Sequence, residues 1–99
     1  PSHYGAQSYD SIMLIDSAVR AAKGDLSKMK VMRDKMRQAD FNSVRGKYSY
    51  GNNQFPIQDF YLRQVVADAS GNWTTKIVQK VYSKHQDVYH SKCKMKKTW

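Results

Sequence analysis

The groups in this 99-residue chain that can do chemistry are three histidines, one cysteine and a scatter of carboxylates, and their spacing limits what they can do together. His85 and His90 lie five apart, whereas helix partners meet at three or four. His3 and Cys93 are the only other soft ligands, so exposed polar histidines are expected rather than a metal site. A lone Cys93 excludes an internal disulfide, a CxxC redox pair and a zinc knuckle. It is either a free thiol or half of a bridge whose partner lies outside this sequence. Asp10 and Asp16 stand six apart on the first expected helix, and the helix dipole accounts for Asp10 near its beginning. Neither reads as a catalytic acid. No Gly-rich phosphate loop, Walker pattern, HExxH or Ser nucleophile elbow is present, so no enzyme activity and no cofactor is expected.

Two aromatic groupings remain. His3, Tyr4, Gln7 and Tyr9 open the first helix, where unpaired N–H groups and polar-tipped rings can wall a site for a small anionic or zwitterionic ligand. The competing reading is that these rings only anchor the helix against its neighbours. Tyr48, Tyr50, Tyr61 and Trp73 interleave with Arg45, Lys47, Arg63 and Lys76, which imitates a sheet that stacks nucleic-acid bases. The aromatics do not share one strand face, so a small basic nucleic-acid-binding module is the alternative rather than the leading reading.

Several elements must position these groups. From about Tyr4 to Ala22, Ala6, Tyr9, Ile12, Met13, Ile15, Val19 and Ala22 recur at helical spacing, and Lys23-Gly24 is a plausible stop. Leu14 fills a further direction, so this helix is apolar on most sides and asks for burial between layers. Asp25 or Ser27 can cap a second helix running to about Ala39, with Leu26, Met29, Met32 and Met36 as a buried seam. Ser43 to Tyr50 reads as a short strand with Val44, Tyr48 and Tyr50 on one face, ending at the loop Gly51-Asn52-Asn53. Phe55 to Tyr82 then reads as two extended runs joined by a tight loop at Ala69-Ser70-Gly71-Asn72. Phe60, Leu62 and Val66 face one way and Tyr61, Val65 and Ala67 the other, while Trp73, Ile77 and Val81 oppose Val78 and Tyr82. Both faces of this ribbon therefore ask for cover. Lys84 to Cys93 reads as a short amphipathic C-terminal helix.

The length suits one core, not two. The longest apolar run, Ile12-Met13-Leu14-Ile15, is too short to span a bilayer. Seventeen Lys and Arg against eight Asp and Glu give a formal charge of +9. That excess attracts polyanions, but it is spread over Lys28 to Arg37, Lys76 to Lys84 and Lys92 to Lys97, which suits a solvated surface. The first helix and both ribbon faces need more apolar cover than one further helix supplies. A partner chain, or more of the same protein, is expected. The opening at Pro1, with neither Met nor a basic-then-apolar leader, favours a sequence that begins partway into a longer protein.

The segments YGAQSYDSIMLIDSAVRAAKGD, KVMRDKMRQADFNSVRGKYSYGNNQFPIQDFYLRQVV and GNWTTKIVQKVYSKHQDVYHSKCKM, in this order, resemble the last hundred residues of ABC-transporter substrate-binding proteins. The specific likeness is to the branched-chain amino-acid-binding family and relatives that take aromatic or other small carboxylates. It spans nearly the whole chain and rests on order and spacing rather than on a catalytic motif. It implies an incomplete part of a two-lobe α/β periplasmic-binding fold, with ligand closed between lobes and the loaded form delivered to a membrane permease. Residues 1–58 would belong to the first lobe, as two helices and a strand. Residues 59–99 would hold the last crossover, the hairpin and the C-terminal helix of the second lobe, the crossing itself falling near Pro56 to Leu62. The clamp on an amino-acid head group would lie mostly upstream. What carries over is the approach to the first helix, which makes His3 and Tyr4 the candidate ligand contacts. An upstream cysteine would be the partner of Cys93, and the segment alone is expected to self-associate.

Overall fold

The computed structural model describes residues 2–95 and is mixed α/β, with two helices and a three-stranded antiparallel sheet in the order β1-β2-β3. Lys96 and Lys97 lie outside the described residues. Helix α1 spans His3–Ala21 and starts where Ser2 accepts a hydrogen bond from the Gly5 N–H at 3.0 Å. It stops on a double reverse bond: the Lys23 N–H reaches the Arg20 carbonyl at 2.9 Å and the Gly24 N–H the Val19 carbonyl at 3.0 Å. Lys23 as well as Gly24 takes the left-handed conformation there, with φ of 55° and 79°.

Helix α2, Met29–Gln38, begins later than the sequence suggests. Asp25 accepts from both the backbone and the hydroxyl of Ser27, so it closes the turn before the helix. Lys28, at the N-cap position, makes no capping hydrogen bond with its side chain. The expected methionine seam is only partly covered: Met32 and Met36 are half-buried, whereas Leu26 and Met29 are exposed.

The strand expected over Ser43 to Tyr50 shrinks to β1, Ser49–Tyr50. Residues 43–46 form a turn instead, because their polar groups bind Asp10 rather than a neighbouring strand. Val44 is exposed as a result, while Phe41, Tyr48 and Tyr50 stack edge-on at 5.8 and 5.6 Å. Gly51 closes the next turn by donating to the Phe55 carbonyl at 2.9 Å.

The hairpin is the largest element, with β2 at Pro56–Ala67 and β3 at Trp73–His85. Its tip is built by Asp68, which accepts from the Ser70 and Asn72 N–H groups at 2.9 Å each, with Gly71 left-handed at φ 80°. Irregularities between Gln58 and Phe60, Phe60 and Tyr61, and Leu62 and Arg63 break the strict alternation of faces. β1 pairs with β2 only through Ser49↔Ile57 and Tyr50↔Pro56, so most of the ribbon has two unpaired edges among the described residues.

No helix forms over Lys84 to Cys93. β3 continues through His85, and only His90–Lys92 makes a short 3-10 turn. Asp59 accepts from the Lys84 N–H at 2.8 Å, which holds the strand's last residues against β2, and Asn52 and Asn53 then tie the following loop to the turn at Gly51.

α1 packs on α2, yet the buried hydrophobic side chains among the described residues are Ala18 and Ala22 alone. Ile12 is 66% exposed, and Tyr9, Ile15, Leu62, Val65, Ile77, Val78, Val81 and Tyr82 are exposed too. The molecule measures 50 × 35 × 16 Å with a radius of gyration of 16.6 Å, against about 13 Å for a compact domain of this length. Its accessible surface is 7834 Å2. A compact monomer of the same mass exposes about 5,800 Å2. The surplus of about 2,000 Å2 exceeds the ~800 Å2 per partner of an ordinary protein interface. No helix among the described residues is long and apolar enough to cross a membrane.

Candidate functional site

Among the described residues the largest fully buried side chain is a charged one. Asp10, 1% exposed, sits two turns into α1, beyond reach of the helix dipole that the sequence suggests for it. Its carboxylate accepts from Ser43 Oγ at 2.6 Å, the Val44 N–H at 3.0 Å and Arg45 Nε at 2.6 Å. Burial pushes this carboxyl up, and the bonds from Ser43, Arg45 and Val44 outweigh that and hold it below the usual range. Arg45 also lies 4.9 Å from the Tyr48 ring centre and makes a long 3.5 Å contact with Gln58 Oε1 on β2. One arginine thereby ties α1, the 43–46 turn and the base of the hairpin together.

Arg45 also lines an open cleft of about 880 Å3 between the start of α1 and the hairpin. The helix contributes Ser2, His3 and Ala6, and the turn contributes Val44 and Arg45. From the hairpin come Phe60, Arg63, Thr75 and Ile77, with Asp59 beside them. Of the two candidate contacts, His3 lines the cleft and its Nε2 lies 2.9 Å from the amide nitrogen of Gln7. Tyr4 does not line it: the ring packs edge-on against His3 at 5.9 Å and is 79% exposed. Arg45 and Arg63, singled out in the sequence only as basic partners of the interleaved aromatics, line the cleft together with Gln58, which the sequence did not single out. A signal for the first was present, since Ser43-Val44-Arg45-Gly46 ends in a glycine at φ 89° and reads as a turn as readily as a strand.

Asp59 is pulled down to about 2 by the hydrogen bond from Lys80, then by the Lys84 N–H. Its folded value lies below the ordinary 3.8. Its contribution to stability is therefore complete above that ordinary value and is lost as pH falls through about 2. Carboxyl NMR should place the Asp59 midpoint near 2, and Lys80→Ala should return it toward 3.8. An unshifted midpoint in the native protein would remove the Lys80 contact from the cleft wall.

The interleaved aromatics do not assemble into a stacking platform. Tyr48 and Tyr50 stack on one another, Lys80 covers Tyr61 at 5.7 Å, and Trp73 stands at the hairpin tip. Burial and the neighbouring Tyr50 push the Tyr48 hydroxyl up, so it stays protonated. Among the described residues no three His, Cys, Asp or Glu side chains gather into a metal-holding group, and Cys93 is a half-buried free thiol. The chain matches no family model, no curated protein and no solved structure.

Proposed function

We propose that this chain is the C-terminal part of a two-lobe periplasmic solute receptor, resembling the branched-chain amino-acid-binding family, which captures an amino acid or small carboxylate and delivers it to an ABC-transporter permease. The exposed hydrophobic side chains carry the proposal. α1 and both ribbon faces leave uncovered the side chains that a surrounding lobe would cover. Two further features support it. The chain passes from the helical layer into the ribbon at Pro56 to Leu62, where a crossing between lobes is expected, and the cleft opens at that junction. His3 borders the cleft, while the clamp for the ligand's head group lies in the remainder of the receptor. The receptor is a binding protein and not an enzyme, and its mechanism is closure of one lobe on the other around the ligand.

Calorimetry tests this reading. The isolated chain should give no binding heat with leucine, phenylalanine or benzoate up to about 1 mM, a threshold corresponding to about −4 kcal/mol. The full-length receptor should bind at least one of these classes at micromolar concentration. Micromolar binding by the isolated chain would contradict the incomplete pocket.

A further inference from the structure

Val44, Tyr48 and Tyr50 alternate as a strand does, yet β1 holds only Ser49–Tyr50. Asp10 keeps residues 43–46 in their turn by accepting from Ser43 Oγ, the Val44 N–H and Arg45 Nε. Across the cleft from that turn runs the outer edge of β2. The Gly51 N–H bonds the Phe55 carbonyl, and the Asp68 N–H bonds the Asn72 carbonyl. In β2 the odd residues therefore turn their N–H and C=O groups away from β3, and the even residues turn theirs toward it. Among the described residues no strand pairs with this outer edge beyond Ile57. At each irregularity of the hairpin the extra residue falls on β3, which leaves the outer row of β2 evenly spaced.

Continuing the register of Ser49↔Ile57 sets Lys47 opposite Asp59, Arg45 opposite Tyr61 and Val44 opposite Leu62. These are an opposite-charge pair, a cation beside a ring and an apolar pair, each favourable between facing strands. Val44, Arg45 and Gly46 line the same cleft as Gln58, Phe60 and Tyr61, so a move from turn to strand runs straight across it. Gly46, at φ 89° with open space where a Cβ would stand, supplies the backbone freedom for that move. We infer that residues 44–48 have two seats, the turn held by Asp10 and an extension of β1 along the outer edge of β2, and that the second seat fills the cleft. Asp10 is the catch between them. Where the cleft serves a ligand, the seated strand excludes it. Every group involved belongs to this chain, so the inference stands apart from the receptor reading.

NMR of this chain tests the two seats, with Asp10→Asn, Gly46→Val and the two combined. A β-branched residue is strained at φ 89° but suits a strand, so Gly46→Val should shift the population about 10-fold toward the second seat. Asp10→Asn takes the charge out of three hydrogen bonds and should add about as large a factor. In the combined variant the α protons at positions 44 and 62, and at 46 and 60, should give cross-strand Overhauser contacts, because these are the non-hydrogen-bonded pairs whose backbones lie closest. The amides of Arg45 and Lys47 should exchange slowly there, while that of Val44 exchanges fast. Adding Lys47→Pro removes an amide the strand needs and should erase the contacts. All of these signals come from the segment and the hairpin, so they stay readable if the helical layer loosens. Gly46→Val alone, with Asp10 in place, should show the same contacts more weakly. Their absence from the combined variant while the hairpin keeps its own contacts, or their survival after Lys47→Pro, would overturn the inference.

Discussion

Asp10→Ala should abolish the cooperative unfolding of the helical layer. Removing one partner of a buried ion pair strands the other and costs about 3–5 kcal/mol, while whole domains are stable by only about 5–15 kcal/mol. Here the loss falls on a layer whose buried hydrophobic side chains are two alanines, so little else can offset it. Ser43, the Val44 N–H and Arg45 would all lose their acceptor at once. The readouts are urea unfolding followed by circular dichroism, and amide exchange at Val44, which should become fast. Asp16→Ala is the control, because the Asp16–Arg20 pair is exposed on α1 and exposed pairs contribute about 0–1 kcal/mol. Removing both buried charges, as Asp10→Leu with Arg45→Met, should cost less than the two single changes added together. The pH dependence has a fixed sign: since the folded carboxyl lies below its ordinary range, its stabilisation is present above that range and is lost as acid protonates it. Equal effects of Asp10→Ala and Asp16→Ala would remove the tie from the account.

What the sequence made legible were the features governed by short-range rules. The three-and-four spacing of Tyr9, Ile12, Met13 and Val19 located α1 to within a residue, and the Lys23-Gly24 stop lies where reverse hydrogen bonds close the helix. The hairpin was legible for a similar reason, since turn residues at Ser70-Gly71-Asn72 separate two β-rich runs. The failures have long-range causes. Val44, Tyr48 and Tyr50 alternate as a strand would, but Asp10, more than thirty residues away in sequence, captures the backbone at Val44. Asp25 resembled a helix cap because carboxylates cap turns and helices by the same bond, and here it caps the turn. Val88 and Tyr89 suggested a helix beyond Lys84, whereas Asp59 holds the Lys84 N–H and prolongs the strand. In the cleft, His3 could be singled out from its place at a helix start. Arg63 could be noted only as a basic neighbour of the aromatics, because its place in the cleft depends on the hairpin fold that sets it beside Thr75.

The second large effect concerns solution behaviour. α1 leaves Ile12 and Ile15 uncovered, and the hairpin offers Leu62, Val65, Ile77, Val78 and Val81 from a ribbon with open edges. Apolar patches and unpaired strand edges of this extent draw in other chains. The formal charge of +9 opposes close approach at low salt, and raising the salt screens that repulsion. Association should therefore increase with ionic strength, the reverse of what contact with a polyanion would show. Ile12→Ser combined with Val78→Thr should reduce it while leaving the helical dichroism unchanged.

Light scattering on the purified chain at about 100 µM and physiological salt tests the central claim, because even contacts with Kd of ~10–100 µM are populated there. We expect a mass well above the 11.5 kDa of one chain, falling on dilution. A monodisperse monomer of 11.5 kDa, unchanged by salt and by dilution, would show that these residues shelter their own apolar surface and would contradict the proposal that they belong to a larger body.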